Sequence, residues 1–430
     1  MIRRERIIED ILRLLACCSV TGDMAGIRKC QEVVSKIAEK MGFNTEVVAC
    51  DKVVIISPND LVKPAKLGVI VHLDTVSFNE CDWNYSPLGE VVDGRIYGRG
   101  IIDDKGPIVL AMHVFDELQG EIQNSWQIII GSDEEGSWSD MENLLRENIS
   151  LPEFLVTIDG DGVQNGCRGY LDINLKFKRK ENGIIQNLFV LNGSNNTLPA
   201  TCTLKLRDGR IIYGKGKEVH SSLCSQGRSA ITELSTHVTD DIYEEYEDFF
   251  TLLKLLDGIC DGRVIGIDAS EVSATNVYLD ENDLNLNLNV RMEKDIGKDT
   301  LKSILTNLEV MYHCKAEAKE FIRPSSVDAN LSQIHAMKKA YEIVIGRRAE
   351  VTIAKGVGYN AALPNCAIFG PRFEPKDDEE DMCHQANESR SLEDIFKFYE
   401  MLKIFVKEVL WEKSSLNWED FLHGLKFLIL

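Results

Sequence analysis

Apolar residues return every three or four positions at the start of the chain. Ile7, Ile8, Ile11, Leu12, Leu14 and Leu15 form the stripe of an amphipathic helix. Residues 1–50 as a whole read as two helices ending in a strand over 44–49. A different pattern follows. Residues 66–72 are a short apolar run bounded by Pro64 and Asp74, the mark of a buried strand. Residues 126–131 and 154–158 have the same character. Between them, residues 108–118 follow Pro107 and predict a helix with proline at its start. Helices alternating with short apolar strands predict a layered α/β sheet.

The texture changes after Gly166. Residues 170–177, 201–206 and 283–292 alternate, the last with strict period two. That predicts an antiparallel strand with one packed and one wet face. Helical stretches at 230–238 and 247–257 interrupt these strands. The pattern is that of a smaller α+β domain inserted into the first. Helix returns at 332–344, strand at 366–369 and helix again at 392–409. Residues 414–430 are apolar and aromatic and receive no element. The expected organisation is therefore a catalytic domain in two parts, 1–168 and 332–430, with an inserted domain at 169–331.

Composition narrows the class. A chain of 430 residues, 44% of them hydrophobic, is too long for one ordinary core and apolar enough for several. A formal charge of −21 argues against nucleic acid or an anionic membrane as partner. No signal peptide or membrane span is read, and the 12 cysteines contain no CxxC pair. Reduced thiols in a cytoplasm are the expectation. Cys383, beside His384, is the cysteine placed to matter to a site; the alternative is a small buried filler.

The chemistry-bearing residues sit at the ends of apolar runs. His72 and Asp74 lie two apart at the end of a strand, so both point to one side, and one can ligate a metal while the other orients its ring. Asp103 and Asp104 stand in a Gly-rich loop before the helix at Pro107. Asp104 suits the helix dipole, and Asp103 can bridge two cations. Glu134 and Glu135 follow the strand over 126–131. A solvated turn is one reading; the other is that one acid ligates and its neighbour serves as general base. Asp159 ends the next strand, where turn chemistry would also explain it. Joint occurrence carries the argument: His72, Glu135 and Asp159 all fall at carboxyl ends of strands, where open α/β sheets place their ligands.

In this order the motifs resemble the co-catalytic metallopeptidase family that includes PepV-type dipeptidases, aminoacylases, acetylornithine and succinyl-diaminopimelate deacylases, and glutamate carboxypeptidases. The residues that carry the resemblance are His72-Leu73-Asp74, Tyr97-Gly98-Arg99-Gly100, Asp103-Asp104-Lys105-Gly106-Pro107, Asp133-Glu134-Glu135 and His384-Gln385-Ala386-Asn387-Glu388. The Asp-Asp-Lys-Gly-Pro and His-Gln-Ala-Asn-Glu forms lean toward PepV-like dipeptidases. The resemblance implies a zinc-peptidase-like layered α/β catalytic domain with an α+β lid. It implies two divalent ions held by His72, Asp103, Glu135, Asp159 and His384, with Asp103 bridging. Zinc is the expected metal, with manganese or cobalt as alternatives. Glu134 would be the general base and Asp74 would orient His72.

In the inserted segment, Gly216-Lys217-Glu218-Val219-His220-Ser221-Ser222 resembles the family's lid motif. His220 would polarise the scissile carbonyl, Asn196 would contact substrate, and Arg291 would grip a substrate carboxylate. An ordinary turn residue and an outward strand charge are the plain alternatives for His220 and Arg291. Ala361 departs from the family, standing where many PepV-like relatives have Arg. The implied reaction is amide hydrolysis, with dipeptides as substrate. The alternatives are deacylation of N-acyl amino acids and a binding homologue that has lost catalysis. A monomer is favoured over a lid-mediated dimer.

Overall fold

A computed structural model describes residues 2–191, 193–372 and 382–411; residues 414–430, left unassigned above, lie outside them. The chain divides into two compact units. The first comprises residues 1–165, 327–352 and 362–430, and the second 166–326 and 353–361.

The first unit is built on a mixed sheet. Its strands run in the order Asn44–Val48, Val53–Ser57, Trp126–Gly131, Leu67–His72, Phe154–Thr157, Cys366–Phe369 and then Val163–Cys167. The strands Trp126–Gly131, Leu67–His72, Phe154–Thr157 and Cys366–Phe369 pair in parallel. All six residues of Leu67–His72 and of Trp126–Gly131 are buried, which explains why they are continuously apolar rather than alternating. Helices Ile2–Leu15, Met24–Lys40, Lys105–Glu117, Ser332–Ile345 and Leu392–Leu410 contribute their apolar stripes to the same core. Phe115 stacks on Trp126 with ring centroids 4.0 Å apart. Because the central strands share one direction, His72 and the residues just after Gly131, Thr157 and Phe369 emerge at one edge of the sheet.

The second unit carries an antiparallel sheet in the order Ile211–Lys215, Thr201–Leu206, Ile185–Val190, Ser270–Leu279, Asp283–Met292, Gly169–Lys178 and Lys315–Ile322. Helices Glu247–Leu256 and Gly297–Met311 pack into its core. The strand Asp283–Met292 corrects the wet face expected from its alternation: from Leu284 onward both faces are buried. It lies between two long partners, Gly169–Lys178 and Ser270–Leu279. Its polar side chains bond to one another and to their neighbours instead of to water. Asn287 reaches Asp172 at 3.4 Å, and Asn289 donates to the Asn195 carbonyl at 2.8 Å.

Candidate metal centre

The centre of the first unit is Asp103, which is 6% exposed. It stands two residues before the helix Lys105–Glu117. Its Oδ1 lies 2.7 Å from His72 Nε2, and its Oδ2 lies 3.0 Å from His384 Nε2. Glu135 Oε1 is 2.7 Å from the same His384 nitrogen, and Asp159 Oδ2 is 3.9 Å from His72 Nε2. The structure therefore gathers His72, Asp103, Glu135, Asp159 and His384 around the carboxyl edge of the sheet. Two overlapping donor groups result, His72 with Asp103 and Asp159, and Asp103 with His384 and Cys383. In each, the ligating atoms lie within 4.8 Å of one another. Asp103 is common to both and turns a different oxygen to each histidine.

Asp74 holds this arrangement from behind. Its backbone carbonyl faces His72 Nδ1 at 2.9 Å, and its Oδ1 is 3.4 Å from the same nitrogen. Both groups are acceptors, so Nδ1 carries a proton and the ring turns Nε2 toward Asp103. The Asp74 carboxylate has a second task. Its two oxygens accept the amides of Glu134 and Glu135 at 3.0 and 3.1 Å, and Thr21 Oγ1 donates to it at 2.9 Å. One buried carboxylate thus sets the histidine and the acidic turn together.

The other acids separate into supporting positions. Asp104 is the N-cap residue of the helix Lys105–Glu117 and makes no side-chain cap bond there. It is fully buried, and its Oδ2 accepts the His72 amide at 3.2 Å. Asp133 accepts from Ser137 and Ser139 and pairs with Lys52 at 3.4 Å, which shapes the turn that presents Glu134 and Glu135.

The protonation balance shows what the cluster selects. Burial would lower the His384 imidazole, yet its bonds to Asp103 and Glu135 push it up to about 11. Asp103 and Asp74 likewise hold His72 well above the usual histidine range, against the effect of burial. Burial, then the charge of Asp103, raises Asp159 to about 6. Burial, with the Asp159, Glu135 and Asp103 carboxylates, drives Glu134 well upward. Closely packed carboxylates and imidazoles of this kind retain protons or bind cations in their place. Two imidazoles and three carboxylates fit a pair of divalent ions.

Residues 68–408 match peptidase family M20/M25/M40. The chain belongs to this family. Its likeness extends to the beta-Ala-Xaa dipeptidase of Lactobacillus delbrueckii subsp. lactis, 24% identical over 77% of this chain and 79% of that protein. The Methanocaldococcus jannaschii protein named uncharacterized metallohydrolase MJ0457 is 26% identical over 92% of this chain and 97% of its own length. Among solved structures, human carnosine dipeptidase 1 superposes with a TM-score of 0.62 at 14% identity, covering 95% of this chain and 96% of its own. These likenesses agree with the layered α/β class expected of an M20 peptidase.

The remaining residues singled out in the sequence lie in the second unit of this M20 chain, where they cluster with one another. The Ser221 amide donates to the Asn196 carbonyl at 2.8 Å, and Thr197 pairs with His220 across a short ladder. Arg291 Nη2 donates to Ser221 Oγ at 3.0 Å. Arg291 is not an outward strand charge. It is 3% exposed, packs over the Tyr170 ring at 4.7 Å, and burial lowers its pKa to about 10. It forms no ion pair among the described residues. At His220, Nδ1 accepts from the Ser222 amide at 3.3 Å, which places a proton on Nε2.

Two contributors went unassigned in the sequence. Glu388, in the quoted His-Gln-Ala-Asn-Glu run, is wholly buried. It accepts from Arg99 at 2.6 Å and from the Gly100 and Ile102 amides, which ties the Asp103 loop to the His384 turn. Arg372 lies 3.5 Å from Asp159 Oδ1 and 2.8 Å from Asp161 Oδ1. Its place just after the strand Cys366–Phe369 was the available signal.

Proposed function

We propose that this protein is a dinuclear metal-dependent dipeptidase that cleaves small peptides. The observation that carries the reading is the shared carboxylate. Asp103 offers one oxygen to His72 and the other to His384, and a separate acid, Glu134, is held beside them by Asp74. The family, and the dipeptidase names of relatives such as those from Lactobacillus and human, support peptide bonds as the target.

His72, Asp103 and Asp159 would hold one ion, and Asp103, Glu135 and His384 the other. When bound, such ions supply Lewis acidity and lower the pKa of water toward ~7. We assign zinc, which suits imidazole and carboxylate together, with manganese and cobalt as the alternatives. Glu134 takes the proton of the attacking water and returns it to the leaving amine, a part suited to a carboxyl whose affinity for protons is raised. His220 donates from Nε2 to the scissile carbonyl oxygen, Asn196 contacts the substrate, and Arg291 pairs with its terminal carboxylate. The burial of Arg291 without an ion-pair partner among the described residues supports that last role, since such a cation is costly until an anion meets it. Among the described residues no helix is long and apolar enough to cross a membrane. We infer a reducing cytoplasm from cysteines without paired spacing.

The test is a substrate panel on chelated protein reloaded with zinc, manganese or cobalt. Dipeptides should turn over in preference to N-acetyl and N-succinyl amino acids. Turnover confined to the acyl substrates would replace the dipeptidase reading with the deacylase one. No turnover by any metal-loaded form would leave a binding homologue.

A further inference from the structure

Cys383 does not sit in an apolar niche. Its Sγ is 3.0 Å from Asp103 Oδ2, the oxygen that also faces His384 Nε2 at 3.0 Å. On another side, Arg372 Nη1 points at the sulfur from 3.6 Å. Neighbouring residues of an extended chain point in opposite directions, but His384 has a left-handed backbone with φ 64°. That turn lets Cys383 and His384 converge on a single carboxylate oxygen. Asp103 Oδ2, Cys383 Sγ and His384 Nε2 form one of the two donor groups of the centre, and Glu135 Oε1 joins it 2.7 Å from His384 Nε2.

We propose that Cys383 is a sulfur ligand to the ion on the Glu135–His384 side, giving that ion a donor set of one sulfur, one imidazole and two carboxylates. The inference rests on the dinuclear reading and goes beyond it, because a filler thiol would serve that reading equally well. On binding, the thiol proton leaves to solvent as the sulfur takes up coordination. The Arg372 guanidinium compensates the thiolate charge, and Arg372 in turn is anchored on Asp161 at 2.8 Å. Thiolate is a soft donor and manganese prefers oxygen. Cys383 therefore biases this position toward zinc, whereas the His72–Asp103–Asp159 position keeps nitrogen and oxygen donors.

Cobalt(II) is the probe. The chelated full-length protein, titrated with cobalt, should develop a near-ultraviolet sulfur-to-cobalt charge-transfer band. Cys383→Ser should bind cobalt without that band, and its zinc-over-manganese preference should fall by about 10-fold. A second readout needs no variant. Iodoacetamide labelling followed by peptide mass spectrometry should find Cys383 shielded in the zinc-loaded wild type and alkylated after chelation. A wild-type cobalt spectrum lacking the band, a band retained in Cys383→Ser, or equal alkylation with and without zinc would each overturn the proposal. Wild-type protein that binds no cobalt or zinc would instead remove the dinuclear reading itself.

Discussion

Arg99 and Glu388 form a buried ion pair, Nη1 to Oε2 at 2.6 Å, across 289 positions of sequence. Glu388 also accepts the Gly100 and Ile102 amides, and Arg99 Nη2 donates to the Gln385 carbonyl at 3.2 Å. The loop that ends in Asp103 and the turn that carries His384 are thereby clasped together. Removing one partner leaves the other as an uncompensated buried charge. Glu388→Ala should lose about 3–5 kcal/mol of stability in urea unfolding, and it should retain less metal on dialysis than wild type. Unchanged metal retention would separate the clasp from the centre.

Asp103 serves both donor groups, so its substitution should disturb both ions. Asp103→Ala should hold at most about one ion per chain where wild type holds about two. Elemental analysis after gel filtration measures this directly. Two ions retained in the variant would refute the shared carboxylate.

Glu134 is proposed to move protons, not to ligate. Glu134→Gln should therefore keep its metal content while kcat falls by about 10²- to 10⁴-fold. Loss of metal together with activity would reassign Glu134 to ligation.

Arg291 should be felt through the substrate's charge. Arg291→Ala should lower kcat/KM for dipeptides with a free C-terminal carboxylate by about 10- to 100-fold, the scale of a charge-assisted hydrogen bond of roughly 1.5–3 kcal/mol. C-terminal amides of the same dipeptides should be nearly indifferent. Equal losses on both substrate sets would point to the polar network around Ser221 and Asn289 and away from carboxylate recognition.

Glu117 links the end of helix Lys105–Glu117 to helix Leu392–Leu410, accepting from Tyr399 at 2.5 Å and Lys403 at 3.2 Å. Burial alone would raise its pKa, but Tyr399 and Lys403 together hold it below the usual glutamate range. A lowered carboxyl pKa stabilises the fold fully above the unfolded value and is lost as pH falls through the folded one. Thermal stability should thus decline as pH drops below about 4.3, and Glu117→Gln should flatten that decline. An acid limb identical in the two proteins would exclude Glu117 as its source.

The strands were legible because burial on both faces leaves a local mark. Residues 126–131 and 366–369 carry no charged residue, and they emerge as strands over those same positions. Residues 283–292 show the limit of that reasoning. Their Asn residues read as a wet face, yet they are buried because Asp172, Asn195 and neighbouring strands satisfy them. Alternation reports which side chains are polar; whether a polar row meets water depends on what packs over it. Asp104 shows a related limit, since its position before a helix was visible and the His72 amide it accepts was not.

The sequence by itself determined the α/β class, the positions of the central strands and the placement of His72, Glu135 and Asp159 at or just beyond strand ends, because periodicity and breakers act over a few residues. Only the tertiary structure decided that His384 reaches the same carboxylate as His72, that one aspartate aligns both a ring and an acidic turn, and that Arg99 and Glu388 meet. Those outcomes come from parallel pairing that brings distant strand ends to one edge, and no local stretch of chain encodes a contact between residues hundreds of positions apart.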